Sequence, residues 1–112
     1  MYGIEVREYV AVTMVELRGE LDLFSLEDLR KTLNRTLGSM KPTLVDLSGI
    51  TFLDLASTRE LTVHAQLYAD HLTLHNPSPQ VTASVEAFRL ASWVRFYSRA
   101  DREEPPVFSG AS

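Results

Sequence analysis

Three aspartates, Asp22, Asp46 and Asp54, are the side chains of this sequence whose type and position best fit a binding or chemical role. Asp22 and Asp54 each stand where a predicted strand passes into a loop that leads to a helix. In a parallel sheet such loops gather at the carboxyl ends of the strands, where α/β proteins place their sites. Each aspartate could equally hold its own turn or cap the next helix. The residues alone leave both interpretations open.

Paired carboxylates can carry out acid–base catalysis. Such a site needs a nucleophile, a metal or a partner histidine beside the carboxylates, and the sequence places none there. The five glycines form neither a dinucleotide-binding nor a Walker pattern. We therefore expect no catalytic residues, no enzyme activity and no cofactor.

The three histidines, His64, His71 and His75, do not have the spacing of a metal site. His71 and His75 fall on one face of a predicted strand, where four residues at ~3.3 Å each separate them by about 13 Å. His64 falls on a helix, and the chain has no cysteine that could complete a ligand set. We expect no bound metal.

Alternating strand-like and helix-like segments position these residues. Apolar residues in strand-like runs predict the strands, and apolar residues at helical spacing predict the helices. Ser25 is the expected N-cap of the first helix and Gly38 its C-terminal stop. The predicted strands cover residues 4–7, 10–18, 43–47, 71–75 and, less regularly, 93–97, and the predicted helices cover residues 25–38, 57–68 and 79–90.

The order of these segments predicts an α/β domain. Its mixed sheet would hold about four to five strands, with helices supplied by the β-α crossovers. Residues 1–97 form the predicted domain. Residues 98–112 are polar and end in small residues, so we expect a mobile tail.

The second helix is apolar over more than one face. Its apolar residues are Leu61, Val63, Ala65, Leu67 and Tyr68. A helix of this kind is either buried or lies at an interface. We expect an interface there, and both a homodimer and a docked regulator fit this pattern.

Three segments together resemble a STAS domain of the anti-sigma factor antagonist type. They are Gly19-Glu20-Leu21-Asp22, the run from Leu44 to Asp54, and Asn76-Pro77-Ser78-Pro79. In that family the turn after the central strand has the residues Asp-Ser-Ser-Gly, and its first serine is the phosphorylation switch. Here the same turn is Asp54-Leu55-Ala56-Ser57. The resemblance covers roughly residues 4–96.

The resemblance implies a surface that docks an anti-sigma factor or a serine kinase of the switch type. The implied partner-binding residues are Asp22, Asp54, Leu55, Ala56, Ser57, Thr58 and Leu61. In the family, a phosphate adds about −1.5 to −2 charges beside these carboxylates and breaks the interface. Leu55 cannot accept a phosphate, so the resemblance implies an antagonist that is not phosphorylated at the usual position.

Two hydroxyls next to the altered turn, those of Ser57 and Thr58, are candidate phosphorylation sites. Ser57 with Glu60 three residues later also fits a capping box, which is the purely structural interpretation. Leu55 has two interpretations as well. It could be an exposed apolar anchor for a partner, or it could fold inward and cover the core, which we expect.

Composition excludes several classes of function. The 112 residues carry a formal net charge of −4, with scattered Lys and Arg, which argues against nucleic-acid binding. No apolar stretch is long enough to span a membrane, and no signal peptide is recognisable, so we expect a cytoplasmic protein without direct membrane insertion. Two alternatives to the antagonist keep the same fold: a STAS-like accessory subunit of a membrane transport system, and a small-ligand or anion-sensing module.

Overall fold

Strands and helices alternate along the chain in the predicted order. The computed structural model describes residues 1–87 and 96–97. Its elements are β1 (Tyr2–Glu8), β2 (Thr13–Leu21), α1 (Leu26–Leu37), β3 (Thr43–Leu53), α2 (Leu55–Leu67), β4 (Leu72–His75), α3 (Pro79–Ala87) and β5 (Phe96–Tyr97). The predicted end of the third helix at residues 88–90, the first part of the predicted last strand at 93–95 and the predicted tail lie outside the described residues.

The five strands form one mixed sheet in the order β1-β2-β3-β4-β5. β1 pairs with β2 in an antiparallel hairpin, and the later pairs are all parallel. Each parallel connection moves one strand further in the same direction, so right-handed crossovers place α1, α2 and α3 on the same face. The predicted α/β architecture is confirmed.

The core lies between that face of the sheet and the helices. Alternate residues of β2 and β3, such as Val15, Leu17, Val45 and Leu47, are fully buried, while their neighbours are half-buried or exposed. Leu29 and Leu33 of α1, Leu61 of α2, and Val81 and Val85 of α3 cover these strands. The spacing of apolar residues thus gives each element one covered face.

Several strand boundaries differ from the sequence prediction, most of all the start of β2 and the end of β3, while β1 extends over Tyr2–Glu8, β2 ends at Leu21 and β4 begins at Leu72. β2 begins at Thr13 and not at residue 10, because Glu8 pairs with Thr13 and the residues between them close the hairpin. Val10 lies in that turn and is 98% exposed. β3 continues past Leu47 to Leu53, because it stays paired with β2 through two register shifts.

The helices keep their predicted order, and Gly38 is the C-cap of α1 as predicted. Pro79 is the first residue of α3, where its missing N–H and fixed φ are tolerated. None of the helices in residues 1–87 has the length and apolar content that a membrane crossing would need.

Candidate functional site

The two acidic turns meet at the carboxyl edge of β2 and β3. Leu21 and Leu53 are register partners, and the Asp54 N–H donates to the Leu21 carbonyl oxygen at 3.0 Å. Asp22 and Asp54 directly follow these two leucines, so the expected juxtaposition is observed. Asp46 lies elsewhere, within β3, and its Oδ1 accepts from the Ser48 N–H at 3.0 Å.

Asp54 is the N-cap of α2. Its backbone is extended, and its side chain accepts from the Ser57 N–H at 2.8 Å. The helix therefore begins at Leu55, and the predicted capping box starting at Ser57 is wrong. The extended strand delivers the carboxylate of Asp54 to the open end of the helix, so Ser57 lies inside the first turn.

Asp22 holds the loop that joins β2 to α1. Its Oδ1 accepts from the Phe24 N–H at 3.0 Å, as in an Asx turn. The Ser25 hydroxyl accepts from the Asp22 N–H at 3.0 Å and lies 3.1 Å from the Asp22 carbonyl oxygen, to which it donates. Ser25 is at the N-cap position as predicted, but its side chain makes no capping bond to α1 because it is engaged with Asp22.

The hydroxyls beside the turn are buried. Ser57 and Thr58 both have no exposed surface, and Leu61 is 2% exposed. The Thr58 hydroxyl donates to the Asp54 carbonyl oxygen at 2.8 Å, and the Ser57 hydroxyl has no hydrogen-bond partner among the described residues. Phosphorylation of either residue stays a prediction, and it requires the first turn of α2 to open.

Leu55 points outward. It is 61% exposed, so the expectation that it covers the core is wrong. The inward face of α2 is already formed by Thr58, Leu61 and Ala65, which recur at helical spacing and are buried. Leu55, at the first position of the helix, lies outside this buried face. Ala56 beside it is half-buried.

Three more large apolar side chains are exposed in the segments that adjoin Asp22 and Asp54. Leu23 is 72% exposed, Phe24 88% and Phe52 49%. They lie in the Asp22 loop and near the end of β3, next to the paired ends of β2 and β3. We call Leu23, Phe24, Phe52 and Leu55 the turn surface.

Sequence reasoning missed Leu23, Phe24 and Phe52 as members of a site. One signal was available: two large apolar residues stand in a short loop whose ends, Asp22 and Ser25, are turn and cap residues. Such a loop is too short for both side chains to turn toward the core. Large apolar side chains that stay exposed in neighbouring segments are a feature of interaction sites.

The turn surface continues along the outer face of α2. Leu55, Arg59, Val63 and Leu67 follow one another at intervals of four residues, and all are exposed. We call these four residues the α2 stripe. The stripe explains why α2 is apolar around more than its core face, and it places a mainly apolar strip beside the two aspartates.

A polar bridge fixes α2 against α1. His64 is 8% exposed, and its Nδ1 lies 2.9 Å from the Glu60 carbonyl oxygen. Its Nε2 lies 3.2 Å from Asn34 Oδ1 on α1, and Arg30 pairs with Glu60 at 3.3 Å. Among the described residues no group of three or more His, Asp or Glu side chains could hold a metal. His64 thus acts as a structural link between the helices.

Comparison with known proteins gives a family and a fold. The family model described as "Mlab, STAS domain" matches residues 4–95. Comparison with curated protein sequences finds no match.

Solved structures of anti-sigma factor antagonists are similar to this chain. An antagonist from Mycobacterium paratuberculosis superposes with a TM-score of 0.75 at 17% identity, over 87% of this chain and 86% of that one. The anti-sigma factor antagonist SpoIIAA in its unphosphorylated form superposes with a TM-score of 0.63 at 17% identity, over 91% of this chain and 94% of that one. Phosphorylated SpoIIAA from Bacillus superposes with a TM-score of 0.63 at 18% identity, over 91% of this chain and 97% of that one. At these identities the likeness establishes the fold.

Proposed function

Since this chain belongs to the STAS domain family, we propose that it is a non-catalytic anti-sigma factor antagonist, which binds an anti-sigma factor of the serine-kinase type through the turn surface and the α2 stripe. The match to structures described as anti-sigma factor antagonists supports this assignment of partner. The protein would act in the cytoplasm, where such partners control transcription.

The exposed apolar turn surface is the observation that carries the proposal. Leu55 and Phe24 expose large apolar side chains beside two half-buried aspartates whose carboxylates already bond to backbone N–H groups. Apolar anchors in the centre of an interface supply most of the binding energy, and surrounding polar groups exclude water. Asp22 and Asp54 would set the shape of this surface by holding its two loops.

The other implied partner-binding residues have a supporting role in this proposal. Ser57, Thr58 and Leu61 are buried, and Ala56 is half-buried. They would hold the first turn of α2 in place beneath Leu55. Partner contact would come from the exposed side chains of the turn surface and the α2 stripe.

The leucine at position 55 gives the proposed antagonist its regulatory property. A leucine cannot be phosphorylated, and the nearest hydroxyls are buried. The partner kinase would therefore be unable to release itself by adding a charged phosphate to the interface. The complex would be constitutive, with regulation exerted elsewhere in the pathway.

Complex formation with each candidate anti-sigma kinase of the same organism tests the proposal. The mixture is separated by size exclusion with ADP and then with ATP, and intact mass reports any phosphate. We expect a complex that survives ATP without a change in mass. A complex that is lost with a gain of phosphate would overturn the constitutive mechanism, and failure of every candidate to bind would overturn the antagonist assignment.

Substitutions locate the interface. Leu55→Asp and Phe24→Asp should each weaken the complex by about tenfold or more, because each places a charge in an apolar contact. Val10→Asp is the matched control, since Val10 is an equally apolar residue, 98% exposed, in the β1–β2 hairpin. An equal loss of binding in the control would contradict the assigned surface.

Leu55→Ser tests the alignment of the turn. It places a hydroxyl where the family carries its phosphorylatable serine, so a competent partner kinase should phosphorylate the variant and then dissociate from it. If the kinase binds the variant and never modifies it, position 55 does not correspond to the switch position.

A further inference from the structure

Among the described residues, the edge of the sheet formed by β1 has no strand on its outer side. β1 spans Tyr2–Glu8 and pairs on one side with β2, and no described strand pairs with its other side. A groove of about 510 Å³ lies beside this edge, between β1 and α1. The main-chain N–H and C=O groups of an unpaired strand are a template for another strand.

The two faces of β1 carry different chemistry. Ile4 and Val6 are partly buried and pack against the core. Glu5 and Arg7 lie on the opposite face, where Arg7 pairs with Glu5 at 3.6 Å and with Glu16 at 3.4 Å. The hydrogen bond from Arg18, together with the charge of Arg7, holds the pKa of Glu5 below its usual range, so Glu5 is ionised at neutral pH.

Symmetry limits how two copies of this edge can pair. A two-fold axis perpendicular to a continuous sheet makes the two β1 strands antiparallel, and it passes midway between one residue, which names the axis below, and the same residue of the partner. Residues directly opposite each other then share a face. Axes through Glu5 or Arg7 would place like charges opposite each other. An axis through Val6 places Glu5 opposite the partner's Arg7, twice.

We propose that a second copy of this chain pairs antiparallel with the open edge of β1, centred on Val6, to form a continuous sheet across a two-fold axis. The pairing covers the outer sides of Ile4 and Val6, which the monomer leaves partly exposed, and it joins two oppositely charged pairs on the other face. Glu8 lies opposite the partner's Ile4 and keeps its ion pair with Lys41 at 2.8 Å.

The proposed dimer contact and the proposed docking surface use different residues. β1 is at one edge of the sheet, whereas the turn surface surrounds the ends of β2 and β3 and the α2 stripe follows the next crossover. The dimer proposal therefore stands independently of the antagonist function. A dimer could bind two partners.

Charge reversal tests the register. Wild-type protein should be a concentration-dependent dimer by analytical ultracentrifugation. Glu5→Arg and Arg7→Glu should each weaken self-association by about tenfold or more, because each homodimer would have two like-charge pairs. Mixing the two variants should restore the dimer. The Glu5→Arg chain carries arginine at positions 5 and 7, and the Arg7→Glu chain carries glutamate at both. Position 5 of each chain faces position 7 of the other, so both facing pairs are then oppositely charged.

Cross-linking gives a second measurement. The chain has no cysteine, so Val6→Cys introduces a single thiol at the predicted axis. Under mild oxidation it should form a covalent dimer faster than Val10→Cys, although Val10 is far more exposed. A wild-type monomer at high concentration, failure of the mixed variants to associate, or faster cross-linking at position 10 would each overturn the proposal.

Discussion

Asp54 shows how one side chain can serve both the fold and the proposed interface. Its carboxylate caps α2 through the Ser57 N–H, and its carbonyl oxygen accepts the Thr58 hydroxyl. Both bonds fix the helix turn that carries the exposed Leu55. The carboxylate therefore determines where the neighbouring apolar side chain points.

Substitutions of Asp54 and Ser57 should separate the observed cap from the capping box that the sequence favours. Asp54→Ala should lower the free energy of unfolding by about 1 kcal/mol, and Asp54→Asn by less, because asparagine can still cap. Ser57→Ala should lower the free energy of unfolding only slightly or should raise it, because the buried Ser57 hydroxyl has no partner among the described residues. Urea unfolding at neutral pH measures all three. The reverse order would mean that Ser57 is the cap.

At the level of elements, a hydrogen bond from the Tyr2 hydroxyl to the Asp28 carboxylate links β1 to α1. This bond, followed by burial and by the charge of Asp28, raises the pKa of Tyr2 above its ordinary value of 10.0. Folding favours the neutral phenol of Tyr2. The contribution of this hydrogen bond to stability is therefore fully present below pH 10.0. It is lost as the pH rises through the raised pKa.

Tyr2→Phe should therefore flatten the alkaline limb of the stability curve. The variant lacks the ionisable hydroxyl, so it should lose less stability than wild type as the pH rises above 10.0. Thermal unfolding across alkaline pH measures the difference, with Tyr9→Phe as the control in the neighbouring hairpin. Parallel curves for wild type and Tyr2→Phe would show that this bond does not contribute to the pH dependence.

At the level of the whole molecule, all three crossovers place their helices on one face of the sheet. This arrangement gives a single core and leaves surfaces of distinct character: the open β1 edge, the turn surface and the α2 stripe. β5 closes the far edge by pairing Phe96 with Leu74 and Tyr97 with His75. The predicted boundary between domain and tail directly follows β5.

Truncation tests that boundary. A chain ending at residue 97 should unfold like the full-length protein, because it keeps β5. A chain ending at residue 95 should lose about 1 kcal/mol or more, because β4 loses its neighbour. Chemical denaturation of the three chains provides the comparison. A large loss of stability in the chain ending at residue 97 would assign residues 98–112 to the folded domain.

Local spacing was enough to predict the order of strands and helices and the α/β class. Apolar residues at strand or helix spacing report which face of an element is covered, and that information lies within a few neighbouring residues. The resemblance of three short segments then indicated the family. The meeting of Asp22 and Asp54 also followed from sequence, since adjacent parallel strands end at the same edge.

Only the tertiary structure decided the exposure of individual side chains. Leu55 and Phe24 are as apolar as Leu61, yet they are exposed, because the neighbouring elements cover one face of α2 and leave the Asp22 loop open. The N-cap was likewise decided by where the end of β3 delivers Asp54. Exposure and capping depend on contacts between residues that are distant in sequence. The local spacing of apolar residues does not predict those contacts.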